Sequence, residues 1–411
     1  MGEEHERIAG IARHGRLKRS NPVTGLLAGV AMVLAVLLVS GTALAALAVW
    51  QLTSEVSANS IDITGGDAAE EPVTIAGYKD GFNILIVGVD NDAAQGAAYG
   101  VRESALNDVN ILVHVSADHS NAVVVSIPRD LIVAHPECTH AETGEQFDAM
   151  AAAPINEAMS RGGLPCVVDT VAAVTGLEIP FAGLVSFNGV VQMSDAVGGV
   201  PICLSAPIND PEAALNLPAG TSVVSGETAL AFLRSRKGVG DGSDLSRISS
   251  QQIYLASLMR TVQGDGTFGN IPRLFTLANA ATRNIQLSTS LASPQTMVEM
   301  ALAIKDIDLD RLVFVQYPGT TDDPAFPGKV VPTQDLADAM FAKIAADEPF
   351  SLAAEPTEEP VTADPPADVP ADPPADAGAT DVPTQPATPS PEPLDGITGR
   401  TAADDSCAQA N

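Results

Sequence analysis

The sequence predicts an α/β fold preceded by one transmembrane helix, and three observations lead there. Apolar runs at residues 82–89, 109–115 and 122–127 read as strands, the last two joined by a short polar turn at 116–121 that suits a hairpin. Helical patterns follow, several closed by glycine where a helix C-cap favours it. The stretch 26–50 carries no charged residue, and at roughly 1.5 Å rise per residue it is long enough to cross a hydrocarbon layer of about 30 Å.

Arg7, Arg13, Arg16, Lys18 and Arg19 precede that stretch, and the next basic residue is Lys79. This asymmetry places the N-terminus in the cytoplasm and everything after Trp50 outside, in a single-pass protein of the cell membrane. Ala43-Leu44-Ala45 and Ala46-Leu47-Ala48 resemble signal-peptidase sites, but the apolar stretch exceeds the roughly 7–15 residues of a signal core. An uncleaved anchor is the reading. The chain then divides into a basic cytoplasmic tail (1–25), the anchor (26–50), a polar spacer (51–79) and a main domain (80–263). An α/β extension (264–347), a linker (348–393) and a cysteine-bearing tail (394–411) complete it.

A formal net charge of −30 argues against nucleic acid as a partner, because that affinity rests on neutralising phosphates. Much of the charge lies in the linker, which repeats Pro, Ala, Asp and Thr and cannot bury enough surface to offset the entropy of ordering it. Four cysteines, Cys138, Cys166, Cys203 and Cys407, suit an oxidising compartment, and none has C-x-x-C spacing. Three pairings are open, and sequence does not choose among them. The working choice is Cys138–Cys166 with Cys203–Cys407, the second giving a reason for a lone cysteine beyond the linker; a free Cys407 on a frayed tail is the alternative.

Among the helical patterns, residues 166–174 end at Gly176, residues 187–197 end at Gly198-Gly199, and residues 228–233 are entered from Ser225-Gly226. From Asp244 to about Val262 the apolar positions Leu245, Ile248, Leu255 and Met259 mark a buried stripe. Helices at 271–281 and 294–304, a strand at 312–316 and a closing helix at 336–345 make up the extension.

Arginines supply the chemistry. Arg129 stands in Ser126-Ile127-Pro128-Arg129-Asp130, at the end of a strand-like run. Arg234 and Arg236 stand in Phe232-Leu233-Arg234-Ser235-Arg236, ahead of a glycine-rich loop at 238–242. Asp244, Arg247 and Gln251 fall at i, i+3 and i+7 of the next helix and share one face, which taken alone could be merely a solvated face. Guanidinium forks bind phosphate oxygens bidentately and stay charged at any working pH. In so acidic a chain the grouping points to an anionic, phosphate-bearing substrate.

In order along the chain, Asn83-Ile84-Leu85-Ile86-Val87-Gly88-Val89-Asp90, the 126–130 motif, Ile155-Asn156-Glu157-Ala158, Asp195-Ala196-Val197-Gly198-Gly199-Val200, and 229–236 with 244–252 resemble the LytR-CpsA-Psr family of cell-wall glycopolymer ligases. The region after Val262 resembles actinobacterial members, which carry a cysteine near the very end. The resemblance implies a three-layer α/β/α sandwich around a mixed central sheet, with a polyprenyl chain buried between sheet and helices. It implies transfer of a glycopolymer phosphate from a polyprenyl-pyrophosphate carrier to a peptidoglycan hydroxyl, with Mg²⁺ as cofactor and Mn²⁺ as a substitute. Asp90 and Asp108 match the metal carboxylates. Arg129, Arg234, Arg236, Arg247 and Gln251 match the pyrophosphate contacts, and Asp244 a partner orienting those arginines.

The sequence also departs from the family. Leu106-Asn107-Asp108 replaces Arg-Ser-Asp, Pro154 replaces a lysine, and the spacing from Arg236 to Asp244 is long. Arg102 is a candidate substitute for the missing arginine, Asp80 and Asp92 are unassigned, and Asp130 reads as a structural salt partner. Two other functions use the same residues: a non-catalytic binder of polyprenyl-linked precursors that scaffolds or regulates wall assembly, and a polyprenyl pyrophosphatase. The histidines lie outside the arginine motifs, so no serine–histidine–aspartate set is evident, and His114 reads as core.

Overall fold

A computed structural model of the chain describes residues 60–63, 81–90, 106–140, 143–236, 244–264, 285–291, 303–352 and 392–408, with residues 32, 281, 300 and 301 besides. All but Met32 fall in the unit Thr53–Asn411. Among the described residues no helix is long and apolar enough to cross a membrane. The predicted span 26–50 (apart from Met32), Asp80, Asp92, Arg102, the 238–242 loop, most of the helices predicted at 271–281 and 294–304, and most of the linker lie outside the described residues.

Continuous apolar runs build the sheet. The first strand, β1 (Phe82–Val89), runs antiparallel to β2 (Asn107–Val115), which runs antiparallel to β3 (Ala122–Ile127). All six residues of β3 are buried, as a strand covered on both faces requires. Next, β4 (Ile132–His135) pairs with β5 (Met150–Pro154) and leads into α1 (Ala158–Thr175). β6 (Phe181–Val185) returns parallel to β1, and α2 (Phe187–Val197) follows at once, capped by the Ser186 hydroxyl accepting from the Gly189 amide.

A side module then forms from β7 (Val200–Leu204), β8 (Ile208–Asp210), β9 (Leu215–Leu217) and β10 (Gly220–Val224), with β7 paired to β10 and β8 to β9. It delivers α3 (Gly226–Arg234), and α4 (Asp244–Gly264) comes next. Further elements are β11 (Ile285–Leu287), β12 (Leu312–Gln316), α5 (Gln334–Ala345), β13 (Phe350–Leu352), β14 (Glu392–Leu394) and β15 (Gly399–Thr401).

Seven strands make one mixed sheet in the order β11-β6-β1-β2-β3-β12-β15. Alternate residues of each strand serve opposite faces. Leu85, Val87, Leu112, Val125 and Ile127 pack with Val167 and Val171 of α1 and with Met340 and Phe341 of α5. Ile84, Ile86, Val109, Ile111 and Val124 pack with Leu255, Ala256 and Met259 of α4. The sheet thus has helices on both faces, an α/β architecture.

Several sequence expectations change. The helix expected at 166–174 begins at Ala158, broken by Gly163 at φ 70°, ψ −158°, two residues before Pro165. Glycine alone holds that conformation cheaply, and proline resists continuing the turn before it. Within the extension, β12 lies parallel to β3 inside the main sheet, so that strand completes the sheet of the main domain. The expected linker is shorter at its ends, where Phe350, almost fully buried, starts a strand paired parallel with β14.

Nor do residues 394–408 form a free tail. β15 forms the sheet edge against β12, Ile397 and Ala402 are buried, and the Ala408 amide donates to the Cys203 carbonyl at 2.9 Å. The structure joins Cys138 to Cys166 and Cys203 to Cys407. The second bridge spans 204 residues of sequence. Removing that much unfolded-chain freedom stabilises by about 5 kcal/mol in the chain-entropy model.

Candidate functional site

The site begins with a bulge. Val89 pairs with Asn107 and Gly88 with Val109, so Asp108 is the extra residue on β2. A bulge re-aims a side chain and twists the strand locally. The close pairing also needs Gly88, since a Cβ there would lie 2.9 Å from the Val109 Cβ. Asp108 is thereby turned to meet Arg129, which leaves the end of β3 just after Pro128. The Arg129 Nη1 donates to Asp108 Oδ1 at 2.5 Å, with both side chains mostly buried. A charge-assisted bond in so sheltered a place is strong.

Arg129 is held from the other side too. Its Nε lies 3.5 Å from Asp130 Oδ2, and Asp130 Oδ1 accepts from Lys329 Nζ at 2.6 Å. Asp130 is therefore a salt partner. The chain at 329–330 is fixed there by Ile132 donating to the Val330 carbonyl and Val330 to the Asp130 carbonyl.

Helix α4 brings the second group. Arg247 Nη2 donates to the Asp108 carbonyl at 3.3 Å, and Gln251 Nε2 donates to the Leu233 carbonyl at 3.2 Å. Both side chains are buried. Gln251 thus ties α4 to the end of α3, where Arg234 and Arg236 flank Ser235. The Ser235 hydroxyl donates to Asp210 Oδ2 at 2.7 Å, and Asp210 Oδ1 accepts from the Glu212 and Ala213 amides. With Ser235 at 0% and Asp210 at 1% exposure, this lock fixes the backbone between the two arginines. Arg234 also stacks over the Phe187 ring, 4.6 Å from its centroid.

Three cavities meet these residues. The largest, about 290 Å³, lies between the sheet and α2, α3 and α4, walled by aliphatic side chains such as Ile86, Val109, Val190, Met193, Leu230 and Leu258. Asp108, Arg234 and Gln251 join its lining. Tyr254 borders it with its phenol pushed up to about 12 by burial, Asp195 adding in the same direction against a bond to Ser194, so it stays protonated. A small second cavity shares Asp108 and Gln251 with the first and adds Arg129, Arg247 and Ser126. A third, about 90 Å³, shares Arg234 with the first and adds Arg236, Asp210 and Glu212.

The LytR_cpsA_psr family model matches residues 48–342. The chain belongs to that family. The cell wall biosynthesis protein LcpA of Corynebacterium glutamicum is 30% identical over 313 residues, 70% of this chain and 58% of that protein. The chain therefore spans less than two thirds of the length of that relative. The polyisoprenyl-teichoic acid–peptidoglycan teichoic acid transferase TagT of Bacillus subtilis is 23% identical over 245 residues, 58% of this chain and 70% of TagT. Among solved structures, protein gbs0355 of Streptococcus agalactiae superposes with a TM-score of 0.53 at 22% identity, covering 65% of this chain and 88% of its own. That likeness establishes a shared fold.

Within this LytR_cpsA_psr chain, Asp108, Arg129, Arg247 and Gln251 come together around the small cavity, and Arg234 lines the aliphatic cleft that shares Asp108 and Gln251 with it. Arg236 lines the neighbouring polar cavity. Asp244 opens α4, and its side chain lies outside the described residues. Asp90 follows β1 directly, buried, at the sheet end where Asp108 stands. Among the described residues no three His, Cys, Asp or Glu side chains gather as a metal set. Two carboxylates are nonetheless a donor set that fits Mg²⁺, which takes its remaining ligands from water and substrate phosphates.

Four contributing residues escape a sequence reading. Asn107 is fully buried, donates to Asn110 Oδ1 at 2.7 Å and to the Ile155 carbonyl at 3.2 Å, and accepts from the Met159 amide. It anchors the bulge to the start of α1. Asp210, Ser235 and Ser126 are the others. The available clue was a polar residue inside an otherwise buried run, which is always informative but names no partner.

Proposed function

We propose that this protein is a membrane-anchored phosphotransferase that moves a glycopolymer phosphate from a polyprenyl-pyrophosphate carrier to a peptidoglycan hydroxyl. The observation that carries the reading is the continuity of the cavities: an aliphatic cleft of about 290 Å³ shares Asp108 and Gln251 with the chamber of Arg129 and Arg247. Such a site fits an amphiphile with a hydrocarbon chain and a multiply charged head. The predicted anchor 26–50 would hold the domain at the outer face of the cell membrane, where a lipid-linked donor and the wall both lie within reach.

Phosphoryl transfer asks a protein for charge neutralisation and alignment more than for covalent chemistry. Arg129, Arg247, Arg234 and Arg236 would neutralise the diphosphate oxygens, while the cleft holds the lipid and thereby orients the phosphorus. Asp90 and Asp108 would hold Mg²⁺, which supplies further neutralisation of the phosphate charge when bound. The acceptor hydroxyl forms its bond to phosphorus as the bond to the lipid phosphate breaks; polyprenyl phosphate leaves, and the hydroxyl proton passes to it. TagT is named a transferase between a polyisoprenyl-linked teichoic acid and peptidoglycan, which supports the same reaction class here.

One observation favours the binding-only scaffold as a second reading: Asp108 is already engaged by Arg129. Transfer of labelled glycan from the lipid donor to peptidoglycan, measured with the full-length chain in detergent, separates the two. The transferase reading expects turnover that Arg129→Ala and Arg236→Ala abolish. Stoichiometric donor binding with no product would leave the scaffold.

A further inference from the structure

We propose that the Ser126 hydroxyl is a hydrogen-bond donor to one non-bridging oxygen of the substrate diphosphate, and that the small cavity beside it is a one-oxygen site. The proposal rests on the functional reading above and adds a residue to it.

Ser126 lies in β3, whose other residues are Ala122, Val123, Val124, Val125 and Ile127. It is 3% exposed, and its Oγ has no hydrogen-bond partner. Its carbonyl, by contrast, accepts from the Tyr317 amide at 2.9 Å. Pairing with Ile111 sets the side chain on the α4 face of the sheet. There it lines the cavity together with Asp108, Arg129, Arg247 and Gln251.

A buried hydroxyl without a partner is unfavourable, and alanine or valine would fill this strand position without that cost. The use of the hydroxyl therefore lies with something the free protein lacks. The cavity measures about 10 Å³, room for a single oxygen-sized atom. Its walls carry the guanidinium groups of Arg129 and Arg247 against the single carboxylate of Asp108, and that excess of positive charge suits an anionic oxygen better than a neutral one. Gln251 commits one amide hydrogen to the Leu233 carbonyl, and Asn110, whose Nδ2 is likewise buried without a partner, also lines the cavity, so Ser126 and Asn110 are the neutral donors that a bound oxygen would meet beside the arginines. A water molecule is the competing occupant, with the same hydrogen-bond chemistry but no charge.

Inorganic pyrophosphate is the probe, titrated calorimetrically into the full-length chain in detergent, with the melting temperature of the ligand-free protein measured beside it. Ser126→Ala is expected to weaken pyrophosphate about tenfold, the loss of one bond to a charged acceptor. The same change is expected to leave the melting temperature unchanged or raised, because it removes an unpartnered polar group. Wild-type affinity in Ser126→Ala overturns the proposal and leaves the cavity to water. A fall in melting temperature alongside the lost affinity overturns it too, since a structural serine behaves that way. Arg129→Ala is the control: if it leaves pyrophosphate binding intact, the functional reading fails, whereas its loss with Ser126→Ala unaffected sinks this inference alone.

Discussion

Asp108 and Arg129 divide the work of the site at the scale of single residues. Each neutralises the other in the free protein, so replacing either leaves a largely buried charge exposed to its own desolvation cost. Arg129→Ala is expected to lose at least about 100-fold in transfer and about 1–3 kcal/mol in stability, read from product formation and from urea midpoints. Ser235→Ala tests the lock on the other arginines. Asp210 would keep the Glu212 and Ala213 amides and lose the Ser235 hydroxyl, so a cost of about 1–2 kcal/mol is expected, with a larger relative loss of turnover because Arg234 and Arg236 lose their fixed backbone. Unchanged turnover at reduced stability would make the lock purely structural. The arginines were legible in sequence because their charge stands out in an acidic chain. Asp210 and Ser235 were not, since a buried pair 25 residues apart leaves no local pattern.

Elements carry the next layer of control, and α4 is the one under most. Arg247 ties its first turns to β2, Gln251 ties it to α3, and Arg260 near its far end donates to the carbonyls of Ala402 and Asp404, both at 2.7 Å. The last contact couples the helix to the segment held by Cys203–Cys407. Replacing both cysteines with serine is therefore expected to lower stability by about 2–5 kcal/mol and to reduce turnover while leaving the cleft present. Urea midpoints with and without reductant check it, and a midpoint indifferent to the bridge would contradict the strap. Strands 82–89, 122–127 and 312–316 were legible to the residue because apolar runs end abruptly at them. The start of β2 was not, because Asn107 and Asp108 break the pattern at the bulge. The C-terminal strand was hidden by composition: its pairing is to backbone, which leaves no mark on side-chain choice.

At the scale of the whole molecule, stability depends on pH through buried histidines. His135 is buried, and burial first, then the charge of Arg161, lowers its pKa against smaller opposing effects from the Ala153 and Pro154 backbone and from Glu157. The folded state thus disfavours the protonated ring. Its contribution is fully present above the unfolded value of about 6.5 and is lost as pH falls through the lower folded value. His135→Leu is expected to flatten the decline in urea midpoint between pH 7.5 and pH 5.5, and an equally steep decline in the variant would contradict this.

The central claim is a working phosphoryl site at the junction of the aliphatic cleft and the arginine chamber. Its most direct test is phosphate release from a polyprenyl pyrophosphate by the full-length chain in detergent, with Mg²⁺ and with chelator. Release that needs the metal and is lost in both Asp90→Ala and Arg129→Ala is expected. No release from a well-folded wild-type chain that binds the lipid tightly would contradict it and leave a binder in its place.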